Sequence, residues 1–163
     1  RISTMKNIEN KSELKVNAIK EGTVLDHIPA DQLFRVIDIL KLRECGSQMT
    51  FGTNLESKLL GKKAIIKVAG RYFAPDEINK IALVAPQAKI NVIKDFEVVE
   101  KKVIEIPSEV SGIVKCVNPK CITNHQPIRT RFSVHNISGS GFKLHCHYCE
   151  KDTDSKEISI LSE

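Results

Sequence analysis

The 163-residue chain contains no Trp, and aromatic residues make up only 5% of it. A small domain with so few large side chains needs a metal, a disulfide or a partner surface to be stable. No apolar run approaches the ~20 residues of a membrane-spanning helix. Residues 1–12 lack the apolar stretch of a signal peptide and read as a poorly ordered leader of a cytoplasmic protein. There is no Walker loop, no Gly-x-Gly-x-x-Gly, and no nucleophile with a plausible base. These absences argue against an enzyme. Charge of one sign is also scarce, because 25 Lys and Arg against 20 Asp and Glu leave a net +5 spread over both halves. Nucleic-acid binders carry a stronger and more segregated basic excess.

What is present reads as two halves, giving an α+β chain. From about Leu14 to Val99, strand-like and helix-like segments alternate. A short strand over Glu13–Lys20 leads to a turn at Glu21–Gly22. Pro29-Ala-Asp-Gln opens a helix whose apolar face is Leu33, Val36, Ile37 and Leu40, with Gly46 just beyond its end. Strands are expected over Gln48–Leu55 and Lys63–Ala69. A second helix is expected over Pro75–Ala85, with the stripe Ile78, Ile81, Ala82 and Ala85. A last strand is expected over Lys89–Val99, bent near Asp95. The order β-α-β-β-α-β predicts a ferredoxin-like domain over residues 13–100. Residues 101–109 read as a connector closed by Pro107. Beyond them, 110–163 reads as a small all-β domain, with short strands over Val110–Cys116, Thr130–His135, Gly141–Cys146 and Glu157–Leu161.

The second half carries the strongest motif. Cys116-x4-Cys121 and Cys146-x2-Cys149 have 24 residues between them. Each short loop can turn two sulfurs toward one point, and two such loops close a tetrahedral site that selects zinc or, less often, an iron–sulfur centre. Paired disulfides would suit a secreted chain, and a redox pair would need a helix N-terminus after the first cysteine. Four thiolates leave no open coordination position, so one structural Zn2+ per chain is expected. His145 and His147 flank Cys146 and read as neighbours, and Cys45 as an ordinary thiol at a helix end.

A second cluster lies in the first half. Between Lys58 and Arg71 there are five cations and no acid. Lys63 and Lys67 stand four apart on a predicted strand and share a face, where they can converge on a triphosphate. The competing reading is a solvated, aggregation-resistant edge. Asp26 and His27 are adjacent on an extended segment and should point to opposite faces, which suits ligand contacts better than an acid–base pair.

Three stretches resemble one family. Val16-Asn-Ala-Ile-Lys-Glu-Gly-Thr-Val-Leu-Asp-His-Ile-Pro-Ala30, then Ala85-Pro-Gln-Ala88 followed by Asn91 and Ile93, and finally the four cysteines with Glu150, are similar to the regulatory chain of aspartate carbamoyltransferase. The resemblance covers residues 13–161. It implies a non-catalytic subunit of pyrimidine biosynthesis, with an allosteric domain binding CTP and ATP, UTP being a further candidate. It also implies a zinc domain docked on the catalytic chain, and self-association as a regulatory dimer. It implies that Val16, Asn17, Ala18, Ile19 and Lys20 frame the base. Asp26 would meet the ribose, His27, Lys63, Lys67 and Lys101 the ribose or phosphates, and Asn91, Ile93 and Val98 would complete the wall. Asn17 stands where relatives can carry Glu, and Phe96 where they can carry Tyr. The main rival is a zinc-ribbon nucleic-acid binder using Arg129, Arg131, Lys143 and Tyr148, which steeply salt-dependent RNA or DNA binding would favour. A small acylphosphatase-like hydrolase shares the strand order, but its phosphate loop is missing near the first strand.

Overall fold

The structure is a computed structural model that describes residues 18–138 and 141–161. The chain forms two compact units. Of the described residues, one unit holds those up to Leu33 together with Cys45–Phe73 and Gln87–Val103; the other holds Phe34–Glu44, Ala74–Pro86 and those from Ile104 onward.

The first unit contains a five-stranded sheet of β1 (Gly22–Pro29), β2 (Met49–Ser57), β3 (Gly61–Ala69), β4 (Lys89–Lys94) and β5 (Glu97–Lys102). Its order is β2-β3-β1-β4-β5, and every neighbouring pair is antiparallel. The first four strands have the ferredoxin-like order, and β5 is added at the edge. Alternation sets the faces. Ala64, Ile66 and Val68 of β3 are buried with Leu25 of β1 and Ile90 and Val92 of β4, whereas Lys63, Ile65 and Lys67 take the half-exposed face.

Two expectations are corrected here. The strand expected over Glu13–Lys20 lies mostly outside the described residues, and its described end, 18–20, is not strand. Pairing begins instead at Gly22, where a turn was expected. That glycine has φ +135°, and a Cβ on it would sit 2.0 Å from the Val68 carbonyl oxygen, so only glycine lets β1 approach β3 there. A bulge at Asp26–His27 breaks the period-2 pattern that would have revealed β1. The strand expected over Lys89–Val99 is a hairpin. Asp95 and Phe96 both have positive φ (49° and 66°) and form its two-residue turn.

Helix α1 (Leu33–Ile39), entered through a 3-10 turn at Ala30–Gln32, carries the chain into the second unit, which starts at Phe34. Its Val36, Ile37 and Leu40 are buried, as the apolar spacing predicts. The helix stops well before Gly46. Lys41 adopts φ 52°, its N–H donates to the Asp38 carbonyl, and the Leu42 N–H donates to the Ile37 carbonyl, a Schellman closure on a non-glycine residue. The second helix is shorter than expected: α2 spans only Pro75–Asn79 and tightens into a 3-10 segment over Lys80–Leu83. Its predicted stripe is buried throughout. The Glu77 carboxylate accepts the Ala74 N–H at 2.8 Å, satisfying an otherwise orphan donor at the helix start.

The rest of this unit is β-structure. β6 (Glu109–Ser111), β8 (Arg131–Ile137), β9 (Gly141–Cys146) and β10 (Asp152–Asp154) form a sheet in the order β10-β9-β8-β6, and β7 (Val114–Lys115) pairs with β11 (Ser159–Ile160). The strand expected over Val110–Cys116 is split at Gly112, whose φ is 68°. Phe132, Leu144, Val110, Val114, Phe142 and Ile158 pack with Leu83 and three cysteines into one cluster.

Candidate functional site

The antiparallel β8–β9 hairpin delivers Cys146 at the end of β9, and β7 leads directly into Cys116. Four sulfurs therefore converge: the Cys116, Cys121, Cys146 and Cys149 Sγ atoms all lie within 4.8 Å of one another. Cys116 and Cys149 are 3.7 Å apart, and Cys121 and Cys146 are 3.8 Å apart. A disulfide would need about 2.05 Å. A tetrahedron with Zn–S bonds of about 2.3 Å has edges of about 3.8 Å, so the donor set fits zinc.

The surroundings hold the loops in place. The Asn124 side-chain NH2 donates to the Cys116 carbonyl at 3.0 Å and to the Asn118 carbonyl at 2.8 Å, clamping the first loop. The Thr123 hydroxyl donates to Cys121 Sγ at 3.2 Å. Burial pushes the Cys116 and Cys146 thiols up, only partly offset by backbone N–H donors. Burial opposes ionisation of Cys149 too, but the Lys151 N–H, the Asn118 side chain and the sulfurs of Cys116 and Cys146 hold it down at about 7. The Cys149 thiolate forms readily, and charging Cys116 and Cys146 beside it requires a cation between them. His145 is engaged by another group: its Nδ1 lies 2.7 Å from Asp152 Oδ1. His147 packs edge-on to Tyr148. Asn118, Thr123 and Asn124 escaped the sequence reading; their polar side chains within and just after the C-x4-C loop were the available signal.

The basic residues of the first unit assemble by register. Thr50 pairs with Lys67, Lys67 with Val24, Val24 with Asn91, and Asn91 with Lys101. Residues paired across a sheet share a face, so this row crosses all five strands. One step along, Asp26 Oδ1 lies 3.0 Å from the Lys63 Nζ. Burial lowers the Lys67 pKa, and the Asp26 charge opposes the drop. The expected divergence of Asp26 and His27 does not occur. His27 sits in the bulge with φ 56°, which brings its Nδ1 to 3.4 Å from Asp26 Oδ2.

Beside this row lies a cavity of about 560 Å³ lined by Ala18, Ile19, Lys20, Thr50, Ala69 and Phe96, among others. The Phe96 N–H donates to the Lys20 carbonyl at 3.0 Å and ties the hairpin turn to that wall. Ile93 and Val98 face each other across β4 and β5, Ile93 buried and Val98 exposed. Val16 and Asn17 lie outside the described residues. Thr50 is absent from the sequence reading because only strand register shows that it adjoins Lys67, whereas Ala69 shares the face of Lys67 by alternation along β3. In the second unit, Arg131 forks onto Glu109 at 2.8 and 3.1 Å, holding that carboxyl below its usual range. No helix among the described residues is long and apolar enough to cross a membrane.

Residues 14–105 match the sequence profile of the aspartate carbamoyltransferase regulatory chain, allosteric domain, and residues 108–159 that of its metal binding domain. The aspartate carbamoyltransferase regulatory chain of Phocaeicola vulgatus is 52% identical over 157 residues, covering 96% of this chain and 100% of the relative. That of Bacteroides thetaiotaomicron is 52% identical over 153 residues, covering 94% and 99%. That of Pyrococcus abyssi is 51% identical over 149 residues, covering 90% and 97%. These relatives are named as regulatory and not catalytic chains, and two matched profiles, a four-sulfur centre and half-identity along the chain agree. The chain belongs to the family of aspartate carbamoyltransferase regulatory chains, as a non-catalytic subunit with an allosteric and a metal-binding domain.

Proposed function

We propose that residues 13–100 bind CTP and ATP, with UTP as a further effector. Residues 101–109 would then carry the signal to a zinc domain over 110–163 that docks on the catalytic chain. The carrying observation is the row Lys67, Val24, Asn91 and Lys101 on one sheet face, beside the cavity walled by Ala18, Ile19, Lys20 and Phe96. Lys67 and Lys101 stand on strands three spacings apart, about 14 Å at ~4.8 Å per strand. That is too far to hold one phosphate and long enough to bracket a nucleotide. Apolar residues and carbonyls at one end suit a base, and Lys63, Lys67 and His27 suit phosphates. Asp26 can accept from a ribose hydroxyl.

The regulatory chain acts as a dimer within an assembly with catalytic chains, and the effector biases that assembly between low- and high-affinity states. An effector shifts activity only by differential affinity for the two states, typically ~1–3 kcal/mol of coupling. Calorimetric titration of the assembled enzyme with CTP tests the reading: Lys67→Ala should weaken binding by at least about tenfold. By reciprocity, a substrate analogue on the catalytic chain must change CTP affinity. Saturable binding indifferent to Lys67→Ala, or no reciprocal change, overturns it.

A further inference from the structure

Resting on the nucleotide reading above, we propose that Asp26 makes this site prefer nucleotides to bare polyphosphates, by holding Lys63 until a ribose releases it. The Asp26 Oδ1 lies 3.0 Å from the Lys63 Nζ, and both side chains are about four-fifths covered, with 22% and 21% exposure. An ion pair this sheltered is screened less than a surface pair. The same Oδ1 accepts the His27 N–H at 2.6 Å, so the bulge fixes the carboxylate beside the lysines. The His27 Nδ1, also buried, lies 3.4 Å from Oδ2 without a hydrogen bond, so the ring does not take the place of Lys63.

Two ligands meet this arrangement differently. Inorganic tripolyphosphate that draws Lys63 away from Asp26 leaves a partly buried carboxylate with its His27 N–H donor but without that cation, beside an added anion. A nucleoside triphosphate presents hydroxyl donors on the same molecule as its phosphates. The carboxylate accepts from the sugar as Lys63 turns to the phosphate, and no charge is left without a partner. One carboxylate thereby couples sugar recognition to phosphate recognition.

The test is calorimetric titration of the full-length, zinc-loaded chain with CTP, 2′,3′-dideoxy-CTP and inorganic tripolyphosphate, before and after Asp26→Asn. The wild-type chain should rank CTP above dideoxy-CTP and tripolyphosphate by on the order of tenfold or more. In Asp26→Asn the latter two should tighten and CTP should not, so that the gap closes to within about threefold. The tripolyphosphate gain should vanish when Asp26→Asn is made in a Lys63→Gln background. Equal shifts for all three ligands would overturn the proposal. So would a wild-type preference for CTP over dideoxy-CTP below about twofold, which needs no variant to fold. If the wild-type chain binds CTP no better than the Lys67→Ala variant does, or binds none of the three, the nucleotide reading itself fails, a distinct result.

Discussion

Removing the metal should unfold the C-terminal region and leave the five-stranded sheet standing. The matched metal-binding segment spans residues 108–159, about fifty residues. At ~0.05–0.15 kcal/mol per residue, such a segment has about 3–8 kcal/mol of stability in all. Structural zinc in small domains contributes on the order of 10 kcal/mol or more. Cys116, Cys121 and Cys146 belong to the same buried cluster as Phe132 and Leu144, so the metal holds the wall of the core itself. The metal-free cluster would bury thiols in place of a neutralised centre, and nothing else among its members replaces the lost cross-link. Chelation under reducing conditions, followed by heteronuclear NMR, reads this by residue. Signals of Phe132, Phe142 and Leu144 should collapse to random-coil positions, while those of Ile66, Val68 and Ile90 keep their dispersion. Zinc added back at one equivalent should restore them. A metal-free, reduced chain that keeps the Phe132 and Leu144 dispersion and melts at an unchanged temperature would refute the reasoning.

Two backbone positions give further tests. Gly22→Ala would place a methyl 2.0 Å from the Val68 carbonyl oxygen at φ +135°, and should cost roughly 3 kcal/mol or more in a thermal melt. Lys41→Gly should stabilise by about 0.5–1 kcal/mol in urea unfolding, because Lys41 closes α1 at φ 52° where glycine carries no steric penalty.

The parts of the molecule written in short-range patterns were readable from its residues. The buried stripes of α1 and α2 follow i, i+3, i+4 spacing, and the sulfur cluster follows from two loop spacings. Elsewhere a long-range contact or an unusual backbone conformation decides the structure. Strand β1 was hidden because its alternation breaks at Asp26–His27 and because the need for Gly22 comes from Val68, far away in sequence. The sequence at Asp95–Phe96 reads as a bend and not a hairpin turn, since neither residue is the glycine that such turns favour. Gly46 marks the expected α1 terminus for the same reason, while Lys41, at φ 52°, does the turning. Spacing alone puts Lys63 and Lys67 on one face of β3, but their neighbours Asn91, Lys101 and Thr50 are joined to them only by strand register, which no local pattern encodes.

The sharing of cysteines between metal centre and core links two properties usually assigned to separate residues. Ion capture and closure of Phe132 over Leu144 belong to one equilibrium, so the apparent affinity is the intrinsic one scaled by the fraction of chains already closed. A variant that carves a hole at Phe132 would therefore score as zinc-deficient while every ligand remained in place. Supplying more ion would rescue it.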